Sequence, residues 1–369
     1  MKILFYYSDW GANVIRREQN TYGGVGYYRI IKPASQVKGH DVTVIGQELT
    51  RKGETPTERW NRIFAEYDVF WCTYFSDPIE ASALFEARDR LKKKVIIDCD
   101  DNFLDVLESH PLYDKLKNGK RDKAFMATIL SFADVITVST DPLMQRLRKH
   151  FKEIHNIEKK IVVLPNMNDI KDWDFPLAQK NEDKIVVGYA GSNSHQDDLA
   201  MFVPQLMQIM RKYKNVYFES IGSIHKRDLW MFKDFTSDEM NRCDLLPATW
   251  TFKEYPEMLS KLKWDISVAP LVDSAFTRCK SHIKFLEMSS IKTPVIASRV
   301  YPYQVDIKGR KVIEDGVTGL LVKPKDWYNA LEDLILHKDK RLMLAENAYN
   351  HVVKNWQYDL SSIIDEVLS

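Results

Sequence analysis

Short apolar runs recur along the chain, each closed by polar residues and followed by a polar, helix-length segment. In the first half these runs are KILFYYS, DVTVIG, DVFWCTY, KVIIDCD, DVITVST and KIVVLPN, all rich in β-branched and aromatic residues, with segments such as DPIEASALFEARDRLKKK between them. Strands that are apolar on both faces and alternate with helices predict a parallel sheet covered on both sides. The pattern restarts after the polar stretch DIKDWDFPLAQKNED, as KIVVGYAG, NVYFESIG, ATWTFKEY, WDISVAP, TPVIAS and GLLV. The expected fold class is therefore α/β, with two Rossmann-like, doubly wound parallel-sheet domains facing a cleft. Residues 1–168 form the first domain, 169–183 the linker and 184–354 the second domain. The tail, 355–369, reads as one amphipathic helix with Trp356, Leu360, Ile363, Ile364 and Val367 as its apolar stripe.

A chain of 369 residues is too long for one ordinary core, which supports two domains. Lys plus Arg (53) nearly equals Asp plus Glu (52), so no global field recruits polyanions, although a local basic groove stays open. Cys72, Cys99, Cys243 and Cys279 are scattered, the first two inside apolar runs, and a reducing cytoplasm is the expected compartment. MKILFYYSDW reads as a first strand rather than a signal peptide, and no apolar run reaches the roughly 18 residues of a membrane span. None of the nine histidines has the paired spacing of a zinc site.

Candidate chemistry clusters in four places. FTRCKSHIKFLEMSS predicts one helix with Lys280, Lys284 and Glu287 on a stripe beside the buried face of Cys279, Ile283, Leu286 and Ser290. The flanking strands WDISVAP and TPVIAS place its N-terminus at the carboxyl ends of a parallel sheet, where open α/β sheets bind ligands; a solvated helix edge is the other reading. TYGGVGYYRIIKPA offers Gly23, Gly24 and Gly26 for close backbone approach to a phosphate or sugar, with Arg29 to pair an anion. Its spacing is not the dinucleotide fingerprint, and a plain turn needing positive φ explains the glycines as well. GYAGSNSHQDDL puts Gly191 and Ser192 before a helix beginning near His195, where free amides suit a phosphate, while His195, Asp197 and Asp198 equally read as cap, core and first-turn residues. KVIIDCDDNF ends a strand with Asp98, Asp100 and Asp101. These could hold a divalent metal, supply a base or bind sugar hydroxyls, or could form an Asx turn. Alternation predicts Asp98 and Asp100 on one side and Asp101 on the other.

The ordered set IIDCDDN, ADVITVSTDPLMQRL, VLPN, GYAGSNSHQDDL and VAPLVDSAFTRCKSHIKFLEMSSIKTPVIAS resembles the GT-B glycosyltransferases, especially the retaining family 4 group, over essentially the whole chain. That resemblance implies a helix carrying two glutamates eight residues apart. The later one matches Glu287, for the donor ribose; the earlier falls on Cys279, with Asp273 as a compensating acid. It implies Lys280, Lys284, Gly191 and Ser192 on the diphosphate and Ser281 elsewhere in the same nucleotide-sugar site, the stripe reading a nucleotide-sugar lengthwise along a helical rise of about 10 Å. Asp100 and Asp101 stand where many members have a histidine, so a carboxylate, Asp100 first, is expected to meet the acceptor or the reacting sugar. The acceptor side would be Gly23, Gly24, Arg29, Asp100 and Asp101, and the last helix would cross back to the first domain.

The implied activity is transfer of a hexose or related sugar from a nucleoside-diphosphate sugar, with retention, without metal or cofactor. Lys280 and Lys284 would neutralise the leaving diphosphate. DCD also resembles the metal-binding motif of the other main glycosyltransferase fold, but that fold lacks the second-half lysine-glutamate helix. The acceptor stays open among a glycan, a lipid-linked sugar, a protein, a small molecule and a modified nucleic-acid base. A nucleotide-sugar epimerase or hydrolase, and a catalytically silent nucleotide-sugar binder, are the alternative functions.

Overall fold

The structure, a computed structural model, describes all residues except 8–21, 47–48, 74–76, 109, 111–112, 114–119, 178–182, 193, 223–229, 247–250, 263, 307–308 and 358. The apolar runs of the first half become β1 (Lys2–Tyr7), β2 (Asp41–Gly46), β3 (Val69–Thr73), β4 (Lys94–Cys99), β5 (Val135–Val138) and β6 (Ile161–Val163). They form a parallel sheet in the order β2-β1-β3-β4-β5-β6. The second sheet holds β7 (Ile185–Ala190), β8 (Val216–Ile221), β9 (Cys243–Leu246), β10 (Ile266–Ala269), β11 (Val295–Ser298) and β12 (Leu320–Val322), ordered β12-β11-β10-β7-β8-β9, again parallel. Strand order reverses between β1 and β3 and between β7 and β10, and a crevice opens at such switch points at the carboxyl ends of the strands.

Helices cover both faces of each sheet, as the two-sided burial of β3, β5, β7, β10 and β11 requires. Local chemistry sets their starts. Asp77 accepts from the amides of Ile79 and Glu80 ahead of Pro78–Leu91, and Thr55 with Glu58 forms a capping box for Pro56–Glu66.

Two expected elements differ. ATWTFKEY is not a strand where it is described. Thr251 accepts from the Glu254 amide, Tyr255–Lys261 is a helix with Pro256 in its first turn, and the edge strand lies earlier, at Cys243–Leu246. The tail is not one helix either. A helix over Lys338–Asn355 ends at Trp356, which packs in the second-half core with Phe285, Ala348 and Val352. A new helix, Ser361–Leu368, starts where Asp359 accepts from the Ser361 amide, and Leu360, Ile364, Val367 and Leu368 pack under the first sheet against Ile3, Phe5 and Trp71.

The halves exchange further side chains. Phe276 and Cys279, from the loop after β10, are buried in the first-half cluster with Phe103, Leu143 and Leu147. Tyr27 and Tyr28, from the segment after β1, join the second-half cluster, Tyr27 stacking on Phe252 with ring centroids 4.1 Å apart. The crevice is thus bridged on two sides.

Candidate functional site

A cavity of about 920 Å³ occupies the crevice, lined from the first half by Gly23, Gly24, Tyr28, Arg29, Asp100, Asp101, Ser139 and Asn166. From the second half come Gly191, Ser192, His195, Tyr255, Lys280, Ser281, Lys284 and Glu287, among others. The structure thus brings Gly23, Gly24, Arg29, Asp100, Asp101, Gly191, Ser192, Lys280, Ser281, Lys284 and Glu287 to one cavity and leaves Gly26, Asp98, Cys279 and Asp273 outside its lining. The Asp273 carboxylate is half exposed and makes a two-bond pair with Arg278 at 2.7 and 2.9 Å.

The predicted continuous helix breaks at its charged end. Thr277–Cys279 form a single tight turn, Lys280 is extended (φ −67°, ψ 157°), and the helix runs only from Ile283 to Ser290. The anchors explain the break: Phe276 and Cys279 are held in the first-half core, and Thr140 Oγ1 donates to the Cys279 carbonyl at 2.7 Å. Lys284 and Glu287 therefore sit on the helix, whereas Lys280 reaches the cavity from the strap before it.

Lys284 is half-buried against the β7 turn, its Nζ donating to the Ala190 carbonyl at 2.7 Å and lying 4.5 Å from the centre of the Tyr189 ring. A Cβ on Gly191 would stand 2.5 Å from that Nζ and 2.6 Å from the Tyr189 hydroxyl, so glycine is what admits the ammonium here. Burial pulls the Lys284 pKa down to about 8, against the raising influence of Glu287 and Asp198. Glu287 accepts from Tyr28 at 3.0 Å and from Tyr255 at 3.3 Å, and burial pushes its carboxyl up to about 7 despite both donors. A half-buried ammonium and a buried carboxyl one helical turn apart, both opening on the same cavity, are groups held ready for a polar ligand.

Across the cavity the three aspartates have separate fates, because β4 ends at Cys99 and alternation does not extend to the last two. Asp98 faces the sheet interior, where Arg29 binds it through Nε at 2.9 Å and Nη2 at 2.6 Å and Thr137 donates at 2.6 Å. Arg29, expected as an anion ligand, is thus held by a buried carboxylate, although it borders the cavity. Asp100 and Asp101 both line the cavity rather than pointing apart. Burial, then the neighbouring Asp101 and Asp98, raise Asp100 to about 7. Asp101 is also penalised by burial, but Lys280, 2.6 Å away, outweighs this and holds it below the usual carboxylate range.

Gly23, Gly24 and Gly26 are not among the residues at positive φ, so a turn of that kind does not account for them. A Cβ on Gly26 would meet Tyr22 at 3.1 Å and the Tyr7 ring at 3.3 Å, which makes packing the reason for that glycine. His195 precedes the helix Gln196–Lys212, bonds Asp198 at 2.7 Å through Nδ1, and is held neutral by burial and by Lys284 and Lys280. Cys279 points away from the cavity, with Asn102 Nδ2 3.5 Å from its sulfur. Among the described residues no group of three His, Cys, Asp or Glu side chains is arranged to hold a metal ion, and no helix is long and apolar enough to cross a membrane.

Tyr28, Tyr255 and Asn166 were not singled out by sequence reasoning. The aromatic doublet directly after the glycine turn, GYY, was the available signal for Tyr28.

Residues 184–337 match the family described as Glycosyl transferases group 1. Among solved structures, an alpha-glucosyltransferase in complex with UDP and a 13-mer DNA containing an HMU base is 11% identical, with a TM-score of 0.69 over 100% of this chain and 99% of the other. HepE of Anabaena, in complex with UDP, is 13% identical with a TM-score of 0.62 over 100% and 98% of the two chains. A glycosyltransferase from Rickettsia africae is 16% identical with a TM-score of 0.62 over the same shares. These likenesses establish the arrangement of the two sheets. No curated protein sequence matches the chain.

Proposed function

We propose that this chain, whose residues 184–337 match the family described as Glycosyl transferases group 1 and whose two sheets have the GT-B arrangement, transfers a sugar from a UDP-sugar to an acceptor entering from the first half. The observation that carries this reading is the convergence of Gly191, Lys280, Ser281, Lys284 and Glu287 on one cavity that spans the two sheets. UDP is the nucleotide in two of the solved relatives named above, one of which also holds DNA.

In this reading Glu287 binds the ribose, exchanging the hydroxyls of Tyr28 and Tyr255 for those of the sugar. Lys284, Lys280 and the Ser281 hydroxyl meet the diphosphate, whose charge grows as the glycosidic bond breaks, so donors fixed there lower the barrier. A diphosphate beside Lys284 also favours its ammonium, its negative charge offsetting the desolvation that lowers the lysine pKa. Asp100, held near neutrality, faces the reacting sugar or the acceptor hydroxyl and can bond to it in either protonation state.

We take the transfer to proceed with retention, departure and attack sharing one face and the leaving phosphate accepting the acceptor's proton, so that no protein nucleophile is needed. We also propose that turnover needs no metal, two lysines supplying the positive charge and Asp98 being spent on Arg29. A hexose is the proposed sugar and the cytoplasm the proposed compartment, with Cys72, Cys99, Cys243 and Cys279 as free thiols. The test is incubation with a panel of UDP-sugars and acceptors, with and without EDTA, read by mass spectrometry. Sugar transfer in the presence of chelator is expected. Acceptor-free conversion of the donor, or binding without turnover, would replace the transferase reading.

A further inference from the structure

A chain of hydrogen bonds, buried around Asp98 and Arg29 and part-buried at Asn166 and Ser281, leads from the core of the first sheet to the strap that carries Lys280. Thr137 donates to Asp98, Asp98 grips Arg29 by two bonds, Arg29 Nη1 donates to Asn166 Oδ1 at 2.9 Å, and Asn166 Nδ2 donates to Ser281 Oγ at 3.0 Å. Arg29 Nη1 also donates to the Leu164 carbonyl. Arg29 is 1% exposed, and Asn166 and Ser281 both line the cavity.

The chemistry of this chain has only one polarity. A guanidinium carries donors and no acceptor, so the group that Asn166 turns toward Arg29 must be its carbonyl oxygen. The amide NH2 is then forced toward Ser281, and the Ser281 oxygen must accept. A hydroxyl that accepts from one side keeps its own proton for another partner, here on the cavity side. We infer that Asn166, oriented by Arg29, is a positioning residue that fixes the Ser281 hydroxyl as a donor to the diphosphate oxygens of the donor substrate. Arg29, buried and paired, thus acts on the ligand through another residue. Since Asn166 and Ser281 come from opposite halves, the donor becomes available only when the halves are in register.

The inference rests on Ser281 meeting the diphosphate, as proposed above, and UDP titration by calorimetry separates the two. A hydrogen bond to a charged group is worth about tenfold to a hundredfold in affinity, and Ser281→Ala should lose that much. Unchanged UDP affinity in Ser281→Ala would overturn the placement of Ser281, and the inference with it.

Given that loss, Asn166→Asp is the discriminating variant. Its carboxylate still pairs with Arg29, so the fold is kept, but it can only accept, which turns the Ser281 proton away from the cavity. Its added charge also repels a diphosphate, so its effect is compared with and without Ser281→Ala. The expected result is a larger fold-loss from Asn166→Asp in the wild-type background than in the Ser281→Ala background, with the melting temperature close to wild type. Asn166→Ala should likewise cost little once Ser281 is alanine. Equal fold-losses in both backgrounds would overturn the relay while leaving Ser281 on the diphosphate.

Discussion

The hydroxyl of Tyr28, from the first half, donates to the carboxylate of Glu287, from the second, at 3.0 Å. The bond crosses the crevice and engages the group proposed for the ribose. It therefore couples closure of the two halves to the nucleotide site. Tyr28→Phe should remove a competitor of the ribose for Glu287 while loosening the crevice, so the affinity for UDP is expected to change by less than tenfold while turnover falls further. Calorimetry beside steady-state kinetics checks this; equal losses in affinity and turnover would speak against the coupling.

Glu287 also predicts a pH dependence of stability. Its folded-state value, about 7, lies above the ordinary 4.5, so the contribution of its carboxyl is fully present below about pH 4.5 and is lost as the pH rises through about 7. Glu287→Gln should therefore melt higher than wild type at pH 8, by an amount on the order of 3 kcal/mol at about 1.4 kcal/mol per pKa unit, with the advantage vanishing near pH 4.5. The same variant should bind UDP more weakly. A variant that is less stable at pH 8 would show that the carboxylate is not burdened by its burial.

Gly191→Ala tests the seat of Lys284. The added methyl group would lie 2.5 Å from Nζ, and the flexible ammonium is the part able to move. UDP affinity is expected to fall by about 1.5–3 kcal/mol, the range for a hydrogen bond to a charged group, together with some loss of stability, because the methyl group would also lie 2.6 Å from the hydroxyl of the fully buried Tyr189. Unchanged affinity in the folded variant would place the diphosphate elsewhere.

Asp100 and Asp101 should separate kinetically. Asp100→Asn is expected to lower turnover by a factor of about 10² to 10⁴, the range for a positioned acid-base group, with UDP affinity nearly intact. Asp101 competes with the diphosphate for Lys280, so Asp101→Asn should tighten UDP and affect turnover less. Activity per folded molecule and UDP affinity, measured in both variants, decide this. Near-wild-type turnover in Asp100→Asn would remove Asp100 from the reaction.

Most of the two sheets was legible because β-branched and aromatic runs bounded by polar segments carry strand identity locally. β9 was missed because Cys243–Leu246 is a short, half-buried edge strand, while the more aromatic ATWTFKEY beside it carries the stronger strand composition. The break before Lys280 was not legible either. Its cause is tertiary, the capture of Phe276 and Cys279 by the other half, and helical spacing alone runs straight through it. Lys284, Glu287 and Gly191 could be placed because their turn and helix are local features. Tyr255, Asn166 and the pairing of Arg29 with Asp98 depend on contacts between segments distant in the chain. For Arg29 and Asp98, charge near a crevice was visible in the residues, but burial, which decided their role, was not.

The claim at the centre of the account is that Lys284 and its neighbours form a diphosphate site. Calorimetric titration of UDP into the wild-type chain and Lys284→Ala at pH 7, where an ammonium with a pKa of about 8 is still mostly charged, tests it most directly. Saturable binding by the wild type is expected, together with a loss of about tenfold to a hundredfold in a variant whose melting curve shows it folded. Equal affinity in the two proteins, or no binding of UDP by the wild type, would contradict the account.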